Sequence, residues 1–154
     1  MTGAAPTHSA KRLARLAAVQ GLYQIALTQS TPKDVIKNFR EHPGALLNET
    51  GAGEAAASVD QELFSNIITG VTQDTATLDE MIAGAFDAKL SADRIEVLLR
   101  AILRGGAYEL HHHGSIASGV IINDYVDVAH AFFGAKEPGL VNAVLDKLGK
   151  NLRS

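Results

Sequence analysis

Three groups of residues have types and spacings suited to chemistry. Lys11, Arg12 and Arg15 lie close together near the start of the chain. At 100° per residue they share one sector of a helix. Three cations at a helix N-terminus make a site for phosphate groups. A solvated first turn capped by Ser9 accounts for the same residues, although the macrodipole slightly disfavours cations there. His111-His112-His113 invites a metal reading. Consecutive helical residues point in different directions, so the run does not suit one ion. A solvated helix end, with His helping to cap carbonyls, fits better. Asp124 and Asp127 bring two carboxylates together at i, i+3. No nucleophile, Gly-rich phosphate loop or metal motif accompanies them, and polar caps on a helix explain them. Ser30, Ser58, Ser65 and Ser91 lie at or near helix starts rather than in a nucleophile elbow. The residues therefore describe no enzyme and no cofactor or metal site.

The elements that hold these residues must fit one chain of 154 residues, a length suited to one domain with a real core. Its 46% hydrophobic and 20% charged content is that of a globular protein. With no cysteine, disulfides and thiolate metal sites are excluded, which fits a reducing, cytoplasmic setting. No apolar run approaches membrane-span length, and residues 1–8 lack a signal-peptide core and read as a mobile arm. A net charge of −3 leaves nucleic-acid binding to a local patch.

Helical periods then follow one another. The first helix is predicted over Lys11 to Gln29. Val19, Leu22 and Ala26 continue the sector of the three cations, so the buried helix should overhang its core at the basic end. Ala14, Ala17, Ala18 and Gly21 make a narrow opposite face for close helix approach. Thr31-Pro32-Lys33-Asp34 starts a second helix, with Thr31 capping and Pro32 at the first position; it should end near residues 41–44. Residues 48–57, rich in Gly and Ala, read as an exposed loop. Ser58 opens the next helix with a capping-box pattern, and Leu63, Phe64, Ile67, Ile68 and Val71 form its stripe. After a weak break near residues 70–75, Leu78, Ile82 and Phe86 continue the pattern. Ser91 caps a helix carrying Ile95, Leu98, Leu99, Ile102 and Leu103 and reaching Leu110. Gly105-Gly106 inside it is costly unless another helix crosses there or the helix bends. Ser118 caps a central helix, apolar nearly all round, that ends at Gly134. Pro138 starts the last helix, with Leu140, Val141, Val144, Leu145 and Leu148 inside and Asp146, Lys147 and Lys150 outside. Asn123 and Asn142 each follow a core residue and should find partners, linking the last two helices or a loop. The fold class is all-α, with about seven helices and no strand.

Three blocks in register carry a family resemblance: Lys11-Arg12-Leu13-Ala14-Arg15 with Ala18-Val19-Gln20-Gly21-Leu22-Tyr23; Ala101 to Leu110, with Ile102-Leu103-Arg104 and Ala107-Tyr108-Glu109-Leu110; and Val120 to Ala129 followed by Leu140 to Leu148. Together they resemble the bacterial NusB family of transcription antitermination factors over nearly the whole chain. The resemblance implies a NusB-like fold of two helical bundles packed at right angles, one domain over residues 9–154. It implies binding of boxA RNA in ribosomal RNA leaders together with the ribosomal protein NusE, and loading of the antitermination complex on RNA polymerase. It assigns Lys11, Arg12 and Arg15 to RNA phosphates and places Tyr23 near the RNA and NusE, where a tyrosine can stack a base. The chain departs from the family where Leu13 replaces a frequent third basic residue. It also departs at Asp124, Tyr125 and His130, in Gly139 to Ala143, and at Ala117, which stands for a proline. A helical adaptor that binds only protein is the alternative function. What separates the two is whether the cations project beside Tyr23 or pair with acidic residues of the chain.

Overall fold

A computed structural model describes residues 7–47, 58–86 and 96–153, the side chains of residues 7–9 aside. Most of the expected N-terminal arm, the 48–57 loop, the Ser91 cap and Ile95 lie outside these residues. Among the described residues there are eight helices and no strand. They are α1 Thr7–Thr28, α2 Pro32–Glu41, α3 Gly44–Leu47, α4 Gln61–Gln73, α5 Thr75–Ala85, α6 Val97–His112, α7 Ser118–Phe132 and α8 Lys136–Arg153. The chain divides into two compact units, Met1–Thr69 and Gly70–Ser154.

In the first unit α1 is the centre. It begins at Thr7, four residues before the predicted start, so Ser9 lies inside the helix and is not its cap. From Ala14 to Leu22 every residue but Leu16 is buried, on both the alanine face and the opposite one. The alanine face allows the close approach its small residues imply. A Cβ on Gly21 would stand 2.9 Å from Ile68 Cδ1 and 3.1 Å from Val35 Cγ1. Val19 and Leu22 are buried as expected, whereas Ala26 is exposed, because the packed part of α1 ends before its last turn. The helix closes on Gln29 at φ 58°, whose N–H reaches Ile25 O at 2.9 Å. That is the left-handed terminator position where glycine is usual.

α2 forms as its sequence dictates. The Thr31 hydroxyl accepts from the Asp34 N–H at 3.1 Å, and Pro32 occupies the first turn. Phe39 meets Phe64 of α4 with ring centroids 4.0 Å apart. The short α3 was not foreseen; four residues are too few to show a period, and its signal is one buried side chain, Leu47. The cap of α4 is Asp60 rather than Ser58, its Oδ1 accepting from the Leu63 N–H at 2.9 Å. Either residue type can cap, and Asp60 is the one directly before Gln61.

In the second unit α6, α7 and α8 pack on one another, with α5 against α6 and α8. The break before α5 narrows to Asp74. Gly105 and Gly106 mark the crossing predicted for them. A Cβ on Gly105 would lie 2.7 Å from Tyr125 Cε1 of α7, and one on Gly106 2.6 Å from Leu145 Cδ1 of α8. Side chains of the two neighbouring helices fill the space that the glycines leave. α7 starts at Ser118 with Ala117 as its cap residue, and no side chain caps it. The Ser118 hydroxyl instead accepts from Arg153 at 3.2 Å. Val120, on the first turn, is exposed. α8 starts two residues before Pro138, which its first turn tolerates. Its inner stripe of Val141, Val144, Leu145 and Leu148 is buried, and Asp146 pairs with Lys150 at 3.1 Å on the outside.

Candidate functional site

The basic start of α1 is the first place to build a site. Arg12 is exposed, and Lys11 is 40% exposed at its side chain. Lys11 Nζ lies 3.7 Å from Asp60 Oδ2, the carboxylate whose other oxygen caps α4. The Asp60 N–H also donates to Ala10 O at 3.1 Å, so the start of α4 is tied to this turn of α1. An ion pair this long and this exposed contributes at most about 1 kcal/mol. Lys11 can therefore exchange Asp60 for another anion at little cost.

Arg15 corrects the expectation. Its side chain is 1% exposed and engaged within the fold, so it does not project with the other two cations. The overhang of α1 is one turn shorter than its angular pattern implies. A helical wheel gives direction but not the height at which packing begins. The surface patch is thus Lys11 and Arg12, and Arg15 belongs to the core beneath it.

Tyr23 is half-buried three turns further along. It borders a pocket of about 250 Å³ whose lining includes Gln20, Gln24 and Leu27 of α1 and Ala45 and Leu46 of α3. Among the residues lining it none is charged. Leu27, 58% exposed, stands at this pocket.

The other constellations resolve into structure. Arg104 of α6 makes a two-pronged pair with Asp79 of α5, both bonds 2.8 Å long. Tyr108 is buried, its ring stacked on His112 with centroids 4.8 Å apart. The His run diverges as its spacing requires. His112 Nε2 lies 3.1 Å from Asp74 Oδ2, while His113 Nδ1 lies 2.9 Å from Glu109 Oε1. Among the described residues no group of three or more His or carboxylates could hold a metal ion. Asn123 and Asn142 correct a second expectation: both are exposed, each one helical step past the buried stripe.

Two residues were missed in the sequence. Glu109 is 0% exposed and accepts from Tyr125 Oη at 2.6 Å. Its signal was an acid at the level of the α6 stripe with a histidine four residues on. Arg153 gathers carbonyls at the end of α6 and in the turn that follows it. It donates to Leu110 O at 2.9 Å, His113 O at 2.9 Å and Ile116 O at 2.6 Å. Nothing in the sequence distinguishes it from a solvated terminal arginine.

The sequence pattern that describes the NusB family matches residues 12–150. The chain belongs to the NusB family. It is 39% identical over 141 residues to the transcription antitermination protein NusB of Nitrobacter hamburgensis, covering 92% of this chain and 86% of that one. It is 41% identical over 140 residues to that of Bartonella quintana, covering 91% and 88%. A solved T. maritima NusB shares the fold, with a TM-score of 0.71 at 24% identity over 93% of this chain and 92% of that one. A crystal structure of antitermination factors NusB and NusE in complex with double-stranded RNA superposes with a TM-score of 0.67 at 25% identity, covering 91% and 96%. The NusB fold of this chain is all-helical, and among the described residues no helix is long and apolar enough to cross a membrane.

Proposed function

We propose that this chain is a transcription antitermination factor of the cytoplasm. It binds boxA-like single-stranded RNA of ribosomal RNA leaders jointly with the ribosomal protein NusE, joins the RNA polymerase antitermination complex, and catalyses no reaction. The observation that carries the reading is the exposed Lys11–Arg12 end of α1 in a NusB-family chain. A crystal structure of a related NusB with NusE and double-stranded RNA supports RNA and NusE as partners. Lys11 and Arg12 hold phosphates, with counterion release supplying affinity. Tyr23 offers a ring for stacking. Arg15, being buried, supports the helix from within.

The test is a salt titration of RNA affinity, with NusE affinity measured in parallel. Lys11→Ala and Arg12→Ala should each weaken RNA binding. Each should flatten the slope of log K against log salt by about 0.7, the value for one single-strand phosphate contact. NusE affinity should be retained. A second reading, a protein-only adaptor, draws on the Lys11–Asp60 pair and the burial of Arg15. An unchanged slope with reduced NusE binding would select it.

A further inference from the structure

Asp60 carries a charge that its structural duties do not require. Its N–H donates to Ala10 O at 3.1 Å, and its carbonyl accepts from the Phe64 N–H at 3.1 Å. Main-chain bonds alone therefore tie it to α1 and to α4. Its Oδ1 caps α4 through the Leu63 N–H at 2.9 Å. An asparagine or a serine caps a helix as well as an aspartate does. What the carboxylate adds is Oδ2, which lies 3.7 Å from Lys11 Nζ, the two side chains being 40% (Lys11) and 27% (Asp60) exposed. This end of α4 is rich in acceptors. Among the described residues Gln61 Oε1 and Ser65 Oγ, on its first two turns, are buried oxygens without a hydrogen-bond partner.

The extra charge stands where an anion would approach Lys11. A phosphate placed on Lys11 comes close to Asp60 Oδ2, and like charges at short range repel. The carboxylate also offsets the partial positive charge at the start of α4, which would otherwise attract the same phosphate. We propose that Asp60 is a built-in competitor for the phosphate site: it occupies Lys11 in the free protein, and RNA gains that cation only by displacing it. An exposed pair of this length is weak, so Asp60 lowers the affinity of the basic end without closing it. The cap and the main-chain bonds do not involve Lys11, so the start of α4 stays on α1 whether Lys11 holds Asp60 or a phosphate. This rests on the RNA-binding reading above and adds to it the residue that sets how strongly the site takes a phosphate.

The experiment is a double-mutant cycle on RNA affinity. Binding of a boxA-like single-stranded RNA in the presence of NusE is measured across a salt titration for wild type, Asp60→Asn, Lys11→Ala and the double variant. Asp60→Asn keeps the cap and removes the charge. It should tighten RNA binding roughly 1.5- to 5-fold at low salt, the range for one exposed ion pair. The gain should shrink as salt screens the carboxylate. In the Lys11→Ala background the same substitution should gain little, because the two residues act on one phosphate. Thermal unfolding and NusE affinity, measured in parallel, should match wild type. Should Asp60→Asn fail to fold, Asp60→Ser repeats the test with another uncharged cap. Unchanged or weaker RNA binding by the folded variant overturns the proposal and makes the carboxylate a group that orients Lys11 for RNA. An equal gain with and without Lys11 also overturns it, because the charge then acts on the field of the whole protein and not on that cation. Wild-type protein that binds no RNA defeats the parent reading and this one with it.

Discussion

Arg15→Ala separates a phosphate contact from a core residue. Arg15 is 1% exposed and engaged within the fold. Truncation to alanine removes two buried methylenes, about 0.8 kcal/mol each. It also removes a guanidinium whose hydrogen bonds contribute about 1.5–3 kcal/mol. The expected loss is about 3–5 kcal/mol, against total stabilities of about 5–15 kcal/mol for natural domains. For a chain of this size that lowers Tm by roughly 6–20 °C. Arg15→Met keeps the stem and loses only the polar part, about 1.5–3 kcal/mol. The assay is thermal and urea unfolding of both variants beside Arg12→Ala, whose side chain is engaged but exposed, so that its loss should cost no more than about 1 kcal/mol. RNA affinity is then measured at a temperature where all are folded. If Arg15→Ala melts with wild type yet loses RNA affinity and salt slope as Arg12→Ala does, the side chain reaches the surface. The burial argument then fails.

Two further outcomes follow from local geometry. Arg153→Ala should cost about 2–3 kcal/mol, because the carbonyls it collects at the end of α6 lose a charged donor. Arg153→Lys should recover little of this, since one ammonium cannot reproduce the fork; faster hydrogen exchange over residues 113–118 is the readout, and unchanged protection would refute it. Gln29→Gly should stabilise the fold by about 0.5–1 kcal/mol in urea titration, because φ 58° strains a residue with a Cβ. A loss of stability there would show that the Gln29 side chain holds the end of α1.

Much of the fold was legible because its signals are local and redundant. Thr31-Pro32-x-Asp34 names its own cap, and the capping geometry follows it. Gly105-Gly106 was legible for a stronger reason. Two adjacent glycines raise the cost of a helix, and only a close crossing offsets it, so the violation itself located the contact of α6 with α7 and α8. The errors lie where direction must be converted into depth. Lys11, Arg12 and Arg15 do share a sector, yet packing begins between Arg12 and Arg15. Asn123 and Asn142 each follow a buried neighbour and still turn outward. Ser58 and Asp60 are both competent caps, and the boundary of α4 chose between them.

The site follows the same logic with a functional consequence. Periodicity finds a helix that presents cations, but the strength of the site depends on how each cation is already satisfied. Lys11 is held at 3.7 Å by a carboxylate that also caps α4, so an incoming phosphate competes with an exposed ion pair of small value. Arg15 is held inside, where a phosphate cannot compete without opening the core. A patch reduced to Lys11 and Arg12 gives a shallow salt dependence, about 1.4 in slope if both contacts form. Affinity beyond that must come from uncharged contacts or from NusE. The ring of Tyr23 is an uncharged group that α1 itself offers. The thinner the electrostatic patch, the larger the share of binding that should survive at high salt, and that surviving share should be the one sensitive to Tyr23.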